Sequence, residues 1–125
     1  MTLKESVTAC LTKYAVFTGR APRSEYWWFV LAQFLISFVV GFVLGLIGGI
    51  LGVGSSLANI GSIVLVLGLF LPALAVAIRR LHDIGKSGWW YLLVFIPIIG
   101  WLVLFYWFVQ PTVPEANEYG EAPTL

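Results

Sequence analysis

The chain has 125 residues, 60% of them apolar and 10% charged, with a formal net charge of +1. Soluble domains carry about 25% charged residues, so this composition excludes a water-soluble globule, and the length bounds the chain to one domain at most. The single cysteine, Cys10, excludes an intrachain disulfide and a cysteine-rich metal cage.

Residues 2–17, TLKESVTACLTKYAVF, place Leu3, Val7, Cys10, Tyr14 and Phe17 at alternating spacings of four and three, with Lys4, Glu5, Thr8, Thr12 and Lys13 elsewhere on the wheel. That pattern predicts an amphipathic helix. It is too polar to span a bilayer and is expected to lie in the headgroup plane with its lysines facing water and phosphates. A helix capping the ends of a bundle is the alternative. The first apolar run begins only near Tyr26, is too long for the core of a cleavable signal and has no small-residue cleavage site close behind it, so the first span is expected to remain as an anchor.

GRAPRSEYWW, residues 19–28, follows: Gly19 and Pro22 break the first helix, Ser24 is placed to cap the next, and Tyr26, Trp27 and Trp28 form an interfacial aromatic belt. From Tyr26 to Ile78 there is no Asp, Glu, Lys or Arg. A helix of about 20 apolar residues crosses a hydrocarbon core, so this interval holds two crossings, expected at about 26–51 and 61–81. They are separated by the uncharged turn GVGSSLANIG, residues 52–61. Pro72 is expected to bend the second crossing. A third uncharged run, Ser87–Thr112, predicts a third span at about 88–109, kinked by Pro97 and Gly100. Residues 1–110 thus form one membrane domain, and 111–125 a polar tail with three glutamates.

All seven Lys and Arg residues lie before the first span or between the second and third. The positive-inside rule puts the N-terminus and the 79–88 turn in the cytoplasm, with the 52–61 turn and, for an odd number of spans, the tail outside. Between the second and third runs sits RRLHDIGKSGWW, residues 79–90. His82 and Asp83 are adjacent, and a paired His and Asp can perform acid–base work. Adjacent helical residues, however, point about 100° apart, and no activated nucleophile signature accompanies them. Asp83 is better suited to pairing with Arg79, Arg80 or Lys86 at the helix end. One His, one distant Cys and scattered carboxylates give no metal-ligand spacing, and GVGSS and GKSGWW lack the register of a phosphate loop. No cofactor and no nucleic acid is implied.

Gly41, Gly45 and Gly49 form a tandem GxxxG in the first span, and Ala73 and Ala77 repeat the small-xxx-small spacing in the second. Such spacing lets helix backbones approach closely in lipid. The partner is expected within the chain, a second copy being the alternative. No ionisable residue falls within a predicted span, which argues against an ion-coupled transporter acting as a monomer.

FTGRAPRSEYWWF (17–29), RRLHDIGKSGWWYLL (79–93), IPIIGWLVLFYWF (96–108) and the tail residues Pro114, Asn117, Tyr119 and Gly120 together resemble one bacterial inner-membrane family, domain of unknown function 805, the YhaH/YhaI-like proteins. The resemblance covers about Phe17 to Pro123. It implies a small multi-span inner-membrane protein with no enzyme activity and no cofactor. The tail departs from the family pattern at Glu115, Glu121 and Ala122, so no ligand role is carried over to it; a cytoplasmic docking element is the alternative to its external placement.

The sequence therefore predicts an all-α membrane domain of three transmembrane helices preceded by an interfacial helix, acting as a non-enzymatic scaffold or adaptor. Its basic cytoplasmic face is expected to bind anionic lipid headgroups or a membrane-protein partner through Arg20, Arg23, Arg79, Arg80, His82 and Lys86, with Glu25 and Asp83 bracing them. A subunit of an oligomeric channel or transporter, and a lipid-active enzyme using His82 and Asp83, are the alternatives.

Overall fold

The computed structural model describes residues 2–123; Met1 and the last two residues of the 111–125 tail lie outside the described residues. The helices are α1 (Leu3–Thr12), α2 (Arg23–Leu51), α3 (Ser56–Asp83), a 3-10 segment (Gly88–Phe95) and α4 (Ile99–Phe108).

Thr2 starts α1 with a capping box: its hydroxyl accepts from the Glu5 N–H at 3.2 Å, and its own N–H donates to the Glu5 carboxylate at 3.4 Å. The helix ends at Thr12, short of the expected residue 17. Tertiary contacts use the following residues instead. The Tyr14 hydroxyl donates to the Gly68 carbonyl, and the Ala21 N–H donates to the Arg79 carbonyl at 3.0 Å, so residues 13–22 run back along α3 to its C-terminal end. The buried face of α1 is Ser6 and Cys10. Small side chains permit close approach to α2, and the Ser6 hydroxyl donates to the Ser24 carbonyl at 3.4 Å. Packed on α2 and α3 in this way, α1 matches the helix-on-bundle alternative in its contacts.

Helices α2 and α3, with 29 and 28 residues, are each about 42 Å long at 1.5 Å per residue and exceed a bilayer core. Pro22, not Ser24, occupies the cap position of α2. The turn is shorter than expected: Ser56–Ile60 already belong to α3. Gly52 adopts φ +74°, and the Val53 N–H donates to the Gly48 carbonyl at 2.9 Å, the 6→1 bond of a Schellman motif. A side chain on Gly48 would run into the Gly54 carbonyl, so that glycine is what lets the turn fold back. Helix α3 is continuous through Pro72. The apolar side chains of the pair mostly face outward: Phe34 and Phe38 are each 72% exposed, Leu67 71% and Ile50 83%. Apolar side chains left so largely uncovered by their own molecule suit a lipid solvent, and both helices are long and apolar enough to cross a membrane.

The glycine stripe does not make the α2–α3 contact. A Cβ on Gly41, Gly45 or Gly49 would meet nothing within 4 Å, whereas one on Gly61 would strike Leu44 and Val40. Packing of the tandem GxxxG inside this chain is therefore corrected. The i±4 row of α2 points away from α3, and a single glycine on α3 lets the helices close. Ala73 packs against the cluster of Cys10, Ala21, Phe29 and Val76, while Ala77 is buried with Leu81, Leu104 and Phe108.

The third expected span, 88–109, is not one helix. Ser87 caps the 3-10 segment by accepting from the Trp89 N–H at 3.3 Å, the chain reverses at Pro97–Ile98, and α4 returns. Ile98 takes φ +66°, rare for a β-branched residue, and a side chain on Gly100 would collide with the Leu93 carbonyl. The Trp101 indole N–H closes the reversal on the Val94 carbonyl at 2.7 Å. Both feet of this hairpin stand at the same end of α3: Gly88 lies against Ile78, and the Phe108 carbonyl accepts from Arg80 and Trp27. Each arm is about 15 Å long, half the thickness of a bilayer core. The tail consequently emerges beside the 79–88 turn, and its expected placement at the opposite end is corrected.

Candidate functional site

The C-terminal end of α3 gathers most of the charged groups of the two sequence blocks into the interior, all but Arg23 and Lys86. A Schellman turn closes the helix there, with Gly85 at φ +78° and the Lys86 N–H bonded to the Leu81 carbonyl at 2.8 Å. Arg79, Arg80 and Asp83 are 0% exposed, Glu25 1% and Arg20 7%. Glu25 reaches this layer from the first turn of α2, and Arg20 from the segment that Ala21 ties to α3.

Asp83 is the centre. One of its oxygens accepts from Arg20 Nε at 3.0 Å and the other from Arg80 Nη1 at 2.7 Å. Glu25 Oε1 accepts from Arg79 Nη1 at 2.7 Å. Removing charges from water costs several kcal/mol each unless the remaining protons also find acceptors, and main-chain carbonyls supply most of them. Arg20 donates to the carbonyls of Asp83 (3.1 Å), Val113 (2.6 Å), Glu115 (2.9 Å) and Gly120 (3.2 Å). Arg80 donates to the carbonyls of Phe108 (3.3 Å) and Gln110. Arg79 is less fully satisfied, its Nε and Nη2 having no oxygen or nitrogen acceptor among the described residues. Beside it the buried Cys10 thiol lies 3.8 Å from Glu25 Oε1, and burial, reinforced by the Glu25 charge, pushes its pKa up to about 12. A thiol so held is protonated and unreactive at neutral pH.

His82 and Asp83 take different partners. His82 Nδ1 lies 2.9 Å from the Gly19 carbonyl, and its ring stacks on Tyr119 at 4.0 Å and 3°. The tail holds this stack through a tight turn in which Asn117 and Gly120 exchange N–H···O bonds of 2.9 and 3.0 Å and Asn117 Oδ1 accepts from the Tyr119 N–H. Asn117 Nδ2 also donates to the His82 carbonyl at 3.0 Å. The acid–base pairing of His82 with Asp83 is absent from this geometry.

Of the eight residues proposed for headgroup or partner contact, Arg20, Glu25, Arg79, Arg80, His82 and Asp83 come together, but as a buried clasp and not as an open basic platform. The platform expectation is corrected for those three arginines. Arg23 is exposed and, among the described residues, donates to the Val109 carbonyl at 3.0 Å. Lys86 lies over the Trp107 ring, 5.3 Å from its centroid. Residue-level reasoning missed Gly19, Trp27, Asn117 and Tyr119. Main-chain acceptors leave no mark in a sequence, and the single hint was that Asn117, Tyr119 and Gly120 belong to the family pattern.

Comparison with known proteins agrees with the sequence blocks. The chain is 45% identical over 113 residues to inner membrane protein YhaI of Escherichia coli (strain K12), covering 90% of each protein. It is 40% identical over 115 residues to inner membrane protein YhaH of the same strain, covering 92% of this chain and 93% of that protein. No solved structure matches. The family model described as "Protein of unknown function (DUF805)" matches residues 14–121, a range holding both arginine blocks, the hairpin and the tail turn, and the chain belongs to that family.

Proposed function

We propose that this protein is a non-enzymatic membrane scaffold that presents a fixed cytoplasmic face to a membrane-protein partner. It crosses the bilayer twice through α2 and α3, and residues 88–108 form a re-entrant hairpin. The N-terminus, the 79–88 turn and the tail all face the cytoplasm, as the position of all seven Lys and Arg residues favours. One observation carries the reading: Asp83 binds Arg20 and Arg80 together, and those two arginines bind the tail and the foot of the hairpin. The polar residues of the two blocks are used to hold segments to one another, as a rigid docking face requires.

Crosslinking in native membranes followed by a pull-down tests the role. A discrete membrane-protein partner, recovered with wild type and lost with Asp83→Asn, is expected. Ion flux or lipid turnover by purified wild type in vesicles, abolished by His82→Ala in a folded protein, would overturn it. Cysteines at Ser55, Ser87 and Ala116 in a Cys10→Ser background test the topology with an impermeant thiol reagent. Label on intact cells at Ser55 alone is expected, and label at Ala116 would reject the re-entrant hairpin.

A further inference from the structure

Arg23 is set apart from the other arginines. In the buried clasp each of the three arginines is paired with Glu25 or Asp83. Arg23, one turn from the aromatic belt, carries a further positive charge, and no carboxylate among the described residues pairs with it. Two adjoining open, shallow depressions share Arg23 and Trp27 as walls. Trp28 and Leu31 continue the first toward the middle of α2, while Phe105 and Val109 of the returning hairpin complete the second. Trp27 is fixed as the dividing wall by its indole bond to the Phe108 carbonyl at 2.9 Å and by an edge-on contact with Phe105. The groove thus has a cation at its interfacial mouth and aromatic and aliphatic walls below it.

We propose that this groove binds one anionic phospholipid of the bilayer, its phosphate on the free donors of Arg23 and the upper part of an acyl chain along Trp27, Trp28 and Leu31. A guanidinium offers the planar donor pair that a phosphate accepts, the Arg23 charge, with no carboxylate paired to it among the described residues, selects an anionic headgroup, and the apolar walls exclude a water-soluble anion. The site does not depend on the scaffold reading and would stand if the protein had another role.

The test uses the full-length protein in phosphatidylcholine nanodiscs with and without phosphatidylglycerol. Each variant's change in melting temperature between the two cancels any intrinsic effect on folding, and native mass spectrometry counts retained phosphatidylglycerol. Wild type is expected to melt higher with phosphatidylglycerol and to retain it. Arg23→Gln should lower both readings several-fold, and Lys4→Gln, which removes an exposed charge on α1, should leave both unchanged. An Arg23→Gln protein that responds like wild type, a Lys4→Gln protein that loses as much, or equal stabilisation of wild type by inorganic phosphate would each overturn the proposal.

Discussion

At the end of the molecule that carries Arg79 and Asp83, groups from α1, the 19–25 segment, α3 and the hairpin foot are buried together, and the tail is bonded onto them. At the other end α2 and α3 are joined by a four-residue turn and the Gly61 contact, Leu51 is 65% exposed, and Gly41, Gly45 and Gly49 of α2 face open space. The contrast follows from the solvent. Lipid tails are as apolar as leucine, so outward-facing Phe and Leu gain little from packing, and such helices associate mainly through close contacts and hydrogen bonds. The polar end has directional bonds available, while the apolar end relies on local turn geometry and the Gly61 contact.

The largest expected effect tests the polar end. Asp83→Asn leaves Arg20 and Arg80 buried without their shared carboxylate, and breaking buried pairs costs about 3–5 kcal/mol. A steep fall in melting temperature in detergent is expected, and an unchanged melt would show that the clasp does not hold the fold. Next is Gly48→Ala at the apolar end, where the new methyl meets the Gly54 carbonyl; overpacking of that kind costs about 1–3 kcal/mol. A neutral Gly48→Ala would mean that the turn relaxes freely. Asn117→Ala removes the amide bond to the His82 carbonyl and the acceptor for the Tyr119 N–H, a loss of about 1–2 kcal/mol. It should appear first as faster proteolysis of the tail while the spans stay intact, so simultaneous loss of both would join the tail to the global fold. The smallest effect is at Gly45→Ile, expected within about 0.5 kcal/mol for the monomer because the site is open. If an oligomer dissociated instead, the stripe would pack against a second copy.

Composition and the uncharged interval from Tyr26 to Ile78 determined by themselves that the chain is helical and holds helices long and apolar enough to cross a membrane, because a backbone in lipid must satisfy its hydrogen bonds locally and a helix does so. The arginine blocks were recognisable in the sequence as parts of one basic face. Tertiary structure decided what those blocks do. Asp83 had several cations within reach along the helix, and Arg20, 63 residues away in sequence, became one of its two partners only when residues 13–22 folded back along α3. Hydropathy could not separate a third span from a hairpin, since the run from Ser87 to Thr112 is equally apolar in both. The reversal is enforced by Pro97, by Gly100 against the Leu93 carbonyl, and by the docking of Phe108 on Arg80 and Trp27. Once the hairpin returned, the tail's main-chain carbonyls met Arg20, and that choice was invisible in the sequence because every residue carries the same carbonyl.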